Sequence, residues 1–175
     1  PGTDVDVRDE SGKPVSIGEV GELWVKGPQV MKGYWKCPEE TKDVMNGDGW
    51  LRTGDMVRID DRGFLYIVDR KKDMILVSGF NVFPNEIEDV LSRHQGVAEV
   101  AVIGVPNEET GEALKAYIVK RDNNVSKDEL MAFCRQSLTS YKVPKQFEFR
   151  EDLPKSNVGK ILRRSLREDH QKDHG

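Results

Sequence analysis

Gly159-Lys160 is the pair of residues in this chain best suited to chemistry. The glycine lets the backbone bend closely, and the ammonium that follows reaches a ligand as a compact point charge. A Walker phosphate loop is excluded, because Pro154 stands at its first glycine and Ile161 at its Ser/Thr. Taken alone, such a lysine is most often a solvated surface cation. Asp55 follows Thr53-Gly54 at the expected end of a loop. A carboxylate accepts two hydrogen bonds from vicinal hydroxyls, which suits a ribose, while an Asx-type turn is the structural alternative. Arg70 closes an apolar run, and a salt bridge with Asp69 or Asp73 competes there with ligand binding. Ser78-Gly79-Phe80 separates two short apolar stretches and reads as a hairpin turn that needs glycine for positive φ. Lys142 is expected in solvent and Tyr34 in the core. His94, His170 and His174 form no constellation, and no Ser/His/Asp or Cys/His arrangement stands out.

The elements that must position these residues change character near Arg70. Up to that point short alternating runs dominate: Val5-Asp6-Val7, Glu22 to Lys26, Met56 to Ile59 and Phe64 to Val68, with Asp60-Asp61-Arg62-Gly63 as a hairpin turn. No long helix is expected there, and the strands are too few for a complete barrel. Beyond Arg70 the pattern becomes α+β. Pro84 suits a first helical position, and Ile87, Val90 and Leu91 give that helix one apolar face. A strand from Val100 to Val105 is expected to stop at Pro106, and a second runs from Leu114 to Val119. Ser126 and Glu129 form a capping-box pattern before Leu130 and Cys134. A third strand at Phe147-Glu148-Phe149 precedes the Lys160 loop. The last helix is expected near 161–168, with a frayed tail at 170–175.

Among the 175 residues, 37% are hydrophobic and 33% charged, enough for a core beneath a strongly solvated surface. A net charge of -4 argues against a general nucleic-acid partner. No apolar run approaches the roughly 20 residues of a membrane-spanning helix, and no secretory leader is visible. Cys37 and Cys134 lie far apart without metal-ligand spacing and are expected as reduced, partly buried thiols of a cytoplasmic protein. The first residues, Pro1-Gly2-Thr3, read like the middle of a protein.

Three ordered stretches then make a family resemblance: Gly49-Trp50-Leu51-Arg52-Thr53-Gly54-Asp55, the run from Asp69 to Glu88, and Pro154-Lys155-Ser156-Asn157-Val158-Gly159-Lys160. Together they resemble the acyl-CoA synthetases, the adenylate-forming ligases of the AMP-binding superfamily. The likeness is nearest to the C-terminal part of bacterial long-chain fatty acid–CoA ligases. The resemblance implies an α+β chain in two parts. Residues 1–70 would be the β-rich, incomplete end of the large adenylation domain and its barrel subdomain. Residues 71–175 would be the mobile C-terminal lid domain, a mixed sheet with flanking helices, with its hinge at Lys72.

The same resemblance assigns roles. Lys160 would be catalytic, contacting the carboxylate substrate and the ATP α-phosphate. Asp55 and Arg70 would hold the ATP ribose. Ser78, Gly79 and Phe80 would line the tunnel for the CoA pantetheine. Asn81 stands where amino-acid-activating relatives carry Arg, which favours an acyl-CoA ligase; Lys72 stands where many relatives carry Asp. The complete enzyme would use ATP, Mg2+ and CoA on a fatty acid, with no metal site in these residues. The family's phosphate-binding loop and Tyr-Gly-x-Thr-Glu motif do not occur in the sequence, so its partner would be the missing N-terminal domain and the chain alone would be inactive. A cytoplasmic location is implied, with peripheral association at the inner membrane as the variant. The alternatives are the lid of a fatty acyl-AMP ligase or other acyl-CoA ligase, and a non-catalytic interaction module that would dispense with Lys160 or Asp55.

Overall fold

The computed structural model describes residues 2–174. They form two compact units that divide between Lys72 and Asp73. In the first, β1 (Asp4–Arg8), β2 (Val20–Lys26), β3 (Leu51–Ile59) and β4 (Leu65–Arg70) make an antiparallel sheet in the order β1-β2-β3-β4. Among the described residues each of these strands pairs only with its sequence neighbours, which leaves the sheet open. Val7, Met56 and Val57 are its buried apolar residues.

A helix, α1 (Pro38–Val44), interrupts the strands; Pro38 opens it and Glu39 and Glu40 occupy its first turn, but none of its residues is buried. The strand expected at 56–59 begins at Leu51, so Asp55 lies inside β3 rather than at the end of a loop. Gly54 takes a left-handed φ of 72° in mid-strand, beside a register shift between Glu22 and Trp24. The Thr53 hydroxyl bridges the irregularity, donating to the Leu23 carbonyl and accepting from the Asp55 amide. Tyr34, expected in the core, is half exposed in the segment before α1.

The second unit is a mixed sheet. It contains β5 (Ile75–Val77), β6 (Phe80–Val82), α2 (Pro84–Ser92), β7 (Val97–Asn107), β8 (Gly111–Lys120), α3 (Lys127–Arg135), β9 (Gln146–Arg150) and α4 (Arg163–His174). The order is β6-β5-β8-β7, all antiparallel, with β9 added parallel to β8. Alternation of side chains sends β7 and β8 to two cores. Val100, Val102, Leu114, Ala116 and Ile118 pack with Ile87 and Leu91 of α2 and Leu130 and Cys134 of α3. Ala101, Ile103, Val105, Ala113 and Tyr117 pack with Leu153 and with Leu166 of α4. Burial on both faces explains why these strands read as nearly continuous apolar runs.

Pro106 does not stop β7, which continues to Asn107. Its missing N–H is harmless because β7 lies at the end of the strand order, where one edge needs no partner. The last helix starts later and runs further than 161–168. Beyond Glu168, Asp169 pairs with Arg150 at 3.3 Å and His170 meets the Lys115 ammonium at 3.3 Å, and the helix runs on through the expected tail to His174. Gly175 lies outside the described residues.

Leu166 is wholly buried between α4 and the sheet. Leu166→Ala should lower the unfolding free energy by about 2–5 kcal/mol, read as a lower urea midpoint at unchanged slope.

Candidate functional site

Asp55 and Arg70 are brought together by cross-strand register. They face each other across β3 and β4, and Arg70 Nε lies 2.8 Å from Asp55 Oδ1. The partners weighed from sequence go elsewhere: Asp69 accepts the Arg70 backbone N–H, and Asp73 pairs with Arg163 and Arg167. Half the Arg70 side chain is exposed. A surface pair of this kind contributes about 0–1 kcal/mol, so it orders two ligand-sized charges more than it stabilises the sheet.

The neighbouring strand carries a buried carboxylate that sequence reasoning missed. Glu22 on β2 is 4% exposed and receives Lys71 Nζ at 2.9 Å and Arg52 at 3.1 Å. Burial opposes its ionisation, but hydrogen bonds from Lys71 and then Arg52 outweigh that, and its pKa is lowered. An isolated acid in an alternating strand carries no sequence signal of burial; only the two cations that converge on it do. Lys71 and Lys72 share a 3-10 turn, Lys71–Asp73, and Lys72 is exposed without an ion pair among the described residues.

Ser78 and Gly79 are the two residues of a hairpin turn between β5 and β6, with φ of 50° and 82°. Two consecutive left-handed residues make the turn that matches the twist of paired strands. The Ser78 amide donates to the Thr110 carbonyl at 2.9 Å. Phe80 stacks on Tyr141 with ring centroids 4.7 Å apart. A cavity of about 240 Å³ adjoins the turn, lined by Val77, Ser78, Thr110, Leu114, Tyr141 and Lys145. Lys142 is not simply solvated, since it grips the Glu86 carboxylate at 2.7 and 2.8 Å.

Lys160 sits at the end of a second tight turn. Lys155 and Ile161 bridge, Ser156 N–H donates to the Lys160 carbonyl at 2.8 Å, and Lys160 N–H donates to Ser156 Oγ at 3.2 Å. Gly159 closes the turn with a φ of 79°. The Lys160 side chain is exposed and has no ion-pair partner among the described residues. Its ammonium is therefore free to meet an anion. Just past the turn, Arg163 is enclosed by Glu88 at 2.5 and 2.9 Å, by Asp73 at 3.3 Å and by Asn85. Spacing gave no sign of this cage, because its members are 75 to 90 residues apart. Among the described residues no three His, Cys, Asp or Glu side chains group as metal ligands.

Residues 86–160 match the AMP-binding enzyme C-terminal domain, and residues 1–35 match the AMP-binding enzyme family. Over 172 residues the chain is 62% identical to a long-chain-fatty-acid–CoA ligase of Yersinia pestis, covering 98% of the chain and 30% of that protein. The chain belongs to the AMP-binding enzymes. A Bacillus subtilis ligase of the same description is 50% identical over 176 residues, covering 99% of this AMP-binding chain and 31% of the relative. The chain thus spans about a third of the length of the curated relatives it matches, and it matches their C-terminal part. Solved AMP-binding structures agree. ATP-bound MatB from Rhodopseudomonas palustris superposes with a TM-score of 0.93 at 38% identity, over 100% of this chain and 35% of that one. The o-succinylbenzoate–CoA synthetase of Bacillus subtilis, in complex with its acyl-adenylate, gives 0.86 at 36% identity, over 94% and 34%.

The lowered Glu22 pKa has a defined sign. Stability it contributes is present above its ordinary value of 4.5 and is lost as pH falls through the lower folded value. Trp24, Trp35 and Trp50 all lie in the first unit, so tryptophan fluorescence reports its acid unfolding. Glu22→Gln should flatten that acid limb below pH 4.5; an unchanged limb would remove Glu22 as its source.

Proposed function

We propose that this chain is the C-terminal portion of a long-chain fatty acid–CoA ligase. The enzyme would join fatty acid, ATP and CoA into acyl-CoA, AMP and pyrophosphate through an acyl-AMP intermediate. What carries the reading is the likeness to long-chain-fatty-acid–CoA ligases, 57–62% identical over 97–98% of the chain in relatives from four genera. It therefore runs through both units and all three motif stretches.

In the first half-reaction a carboxylate oxygen of the fatty acid attacks the α-phosphorus of ATP, and the bond to the pyrophosphate oxygen breaks. The exposed Lys160 ammonium offsets negative charge on the carboxylate and α-phosphate as it builds, which is electrostatic stabilisation of the transition state. Asp55 accepts from the ribose hydroxyls, and Arg70, held against it at 2.8 Å, completes that grip. In the second half-reaction the CoA sulfur attacks the acyl carbonyl and AMP leaves. Residues 71–175 act as a lid that turns about Lys72 between the two steps, withdrawing Lys160 and presenting Ser78, Gly79 and Phe80 to pantetheine. Residues 1–70 belong to the large domain, and the N-terminal remainder of the enzyme supplies the fatty acid pocket. Mg2+ accompanies ATP in this scheme with no ligand assigned among these residues. The enzyme works in the cytoplasm or peripherally at the inner membrane; no described helix is long and apolar enough to cross a membrane.

Tests belong in the full-length enzyme. Lys160→Ala should lower ATP–pyrophosphate exchange by about 10²-fold or more while sparing thioester formation from supplied acyl-AMP. Equal loss in both would contradict the role. Gly79→Leu should impair the CoA step more than exchange, and the reverse order would sink the tunnel assignment. The 175-residue chain alone should show no exchange, and detectable exchange would refute its dependence on the rest of the enzyme.

A further inference from the structure

The Lys160 turn is fastened on both sides by charge clamps to elements that carry no catalytic group. On the approach, Lys155 reaches Glu99 of β7 at 2.9 Å and Asp152 at 2.5 Å. Its pKa is raised by the hydrogen bond it donates to Asp152 and then by its contact with Glu99, so it stays charged through the physiological range. On the departure, Arg163 at the start of α4 is held by Glu88 and Asn85 of α2 and by Asp73. Arg167, one turn further along α4, takes the other oxygen of Asp73 at 3.0 Å. Glu88 is itself tied to the sheet, accepting the Val102 N–H at 2.8 Å. The side chains of Arg163, Glu88 and Asp73 are all less than one-fifth exposed, so this cage is not a solvent-screened surface pair.

Between the clamps the turn has little to hold it. Val158 is 89% exposed, Gly159 has open space around it, and the turn's own hydrogen bonds stay within residues 154–162. A lysine ammonium on four methylenes gains no fixed position from such a turn alone. The Arg163 cage also includes Asp73, the residue next to Lys72, so one network joins the proposed hinge to the base of the catalytic turn.

We propose that Arg163, through Glu88 and Asp73, and Lys155, through Glu99, are positioning residues for Lys160. They fix the turn as one rigid piece with the residue after the hinge, so that hinge rotation delivers the ammonium to a set point. This rests on the reading of Lys160 as the adenylation lysine. Misplacement by an ångström can cost about 10²-fold in rate, whereas the clamps touch no substrate and leave the CoA step untouched.

The test is a double-mutant cycle in the full-length enzyme, read by ATP–pyrophosphate exchange and by thioester formation from supplied acyl-AMP. Arg163→Gln and Glu99→Gln should each lower kcat for exchange about 10-fold or more, with KM for ATP and the thioester step within about two-fold of wild type. Arg163→Lys, which keeps the charge but not the fork, should recover only part of the loss. In a Lys160→Ala background Arg163→Gln should add no further loss of exchange. Additive loss, or equal loss in both half-reactions with a lowered Tm, would overturn positioning in favour of plain structural support. Should Lys160→Ala itself leave exchange intact, the reading of the lysine fails. Should it abolish exchange while the clamp variants behave as wild type, the clamps alone fail.

Discussion

The largely buried guanidinium of Arg163, shared by Glu88, Asp73 and Asn85, is the constraint around which the second unit is built. Charges withdrawn from water must find opposite charge and filled hydrogen bonds, and removing one partner of such a set typically costs about 3–5 kcal/mol. Four separate segments are bound by that demand: the turn at Asp73, α2, β7 by way of Glu88, and α4. Apolar packing alone would let α4 slide along the sheet, because Leu166 is its one wholly buried anchor among the described residues. The fork of Arg163 fixes where along the sheet the helix begins, and with it where the preceding turn ends.

A second set of charges secures the far end of the same helix. Lys115 is buried on β8 and pairs with Glu148 of β9 at 2.8 Å; Glu148 also holds Arg150, which reaches Asp169 of α4. Burial opposes ionisation of Glu148, but hydrogen bonds from Lys115 and Arg150 prevail and lower its pKa. Tyr117 lies wholly buried beside the two cations, with Arg150 4.6 Å and Lys115 4.9 Å from its ring centre. The helix is thus pinned at both ends by ionic contacts and in the middle by one leucine. That division of labour explains why a helix with so few apolar residues is ordered to His174.

Local patterns made much of the fold legible. Pro84 opened α2, Ser126 accepted the Glu129 amide as an N-cap, and the apolar runs of β7 and β8 became strands. The resemblance in the motif stretches named the family and the C-terminal portion. What could not be read depended on partners distant in sequence. Arg70 had two acidic neighbours in the chain, yet cross-strand register gave it Asp55. Glu22 looked like any solvent-facing acid until Arg52 and Lys71 closed on it. Pro106 was a plausible stop, and only the strand order reveals the free edge that tolerates it. Helix α4 outran its expected end because Arg150 and Lys115, on two strands, held residues that the sequence pattern left without a reason to stay ordered.

The Ser78-Gly79 turn carries one more consequence. A side chain at Gly79 would meet nothing within 4 Å, so inside this chain glycine is demanded by handedness alone, not by lack of room. A residue of mirror-image chirality satisfies that demand as well as glycine does. D-alanine at 79 would keep the hairpin while adding a methyl group. Chirality and bulk, which every encoded substitution at this position confounds, become separable variables at that one atom.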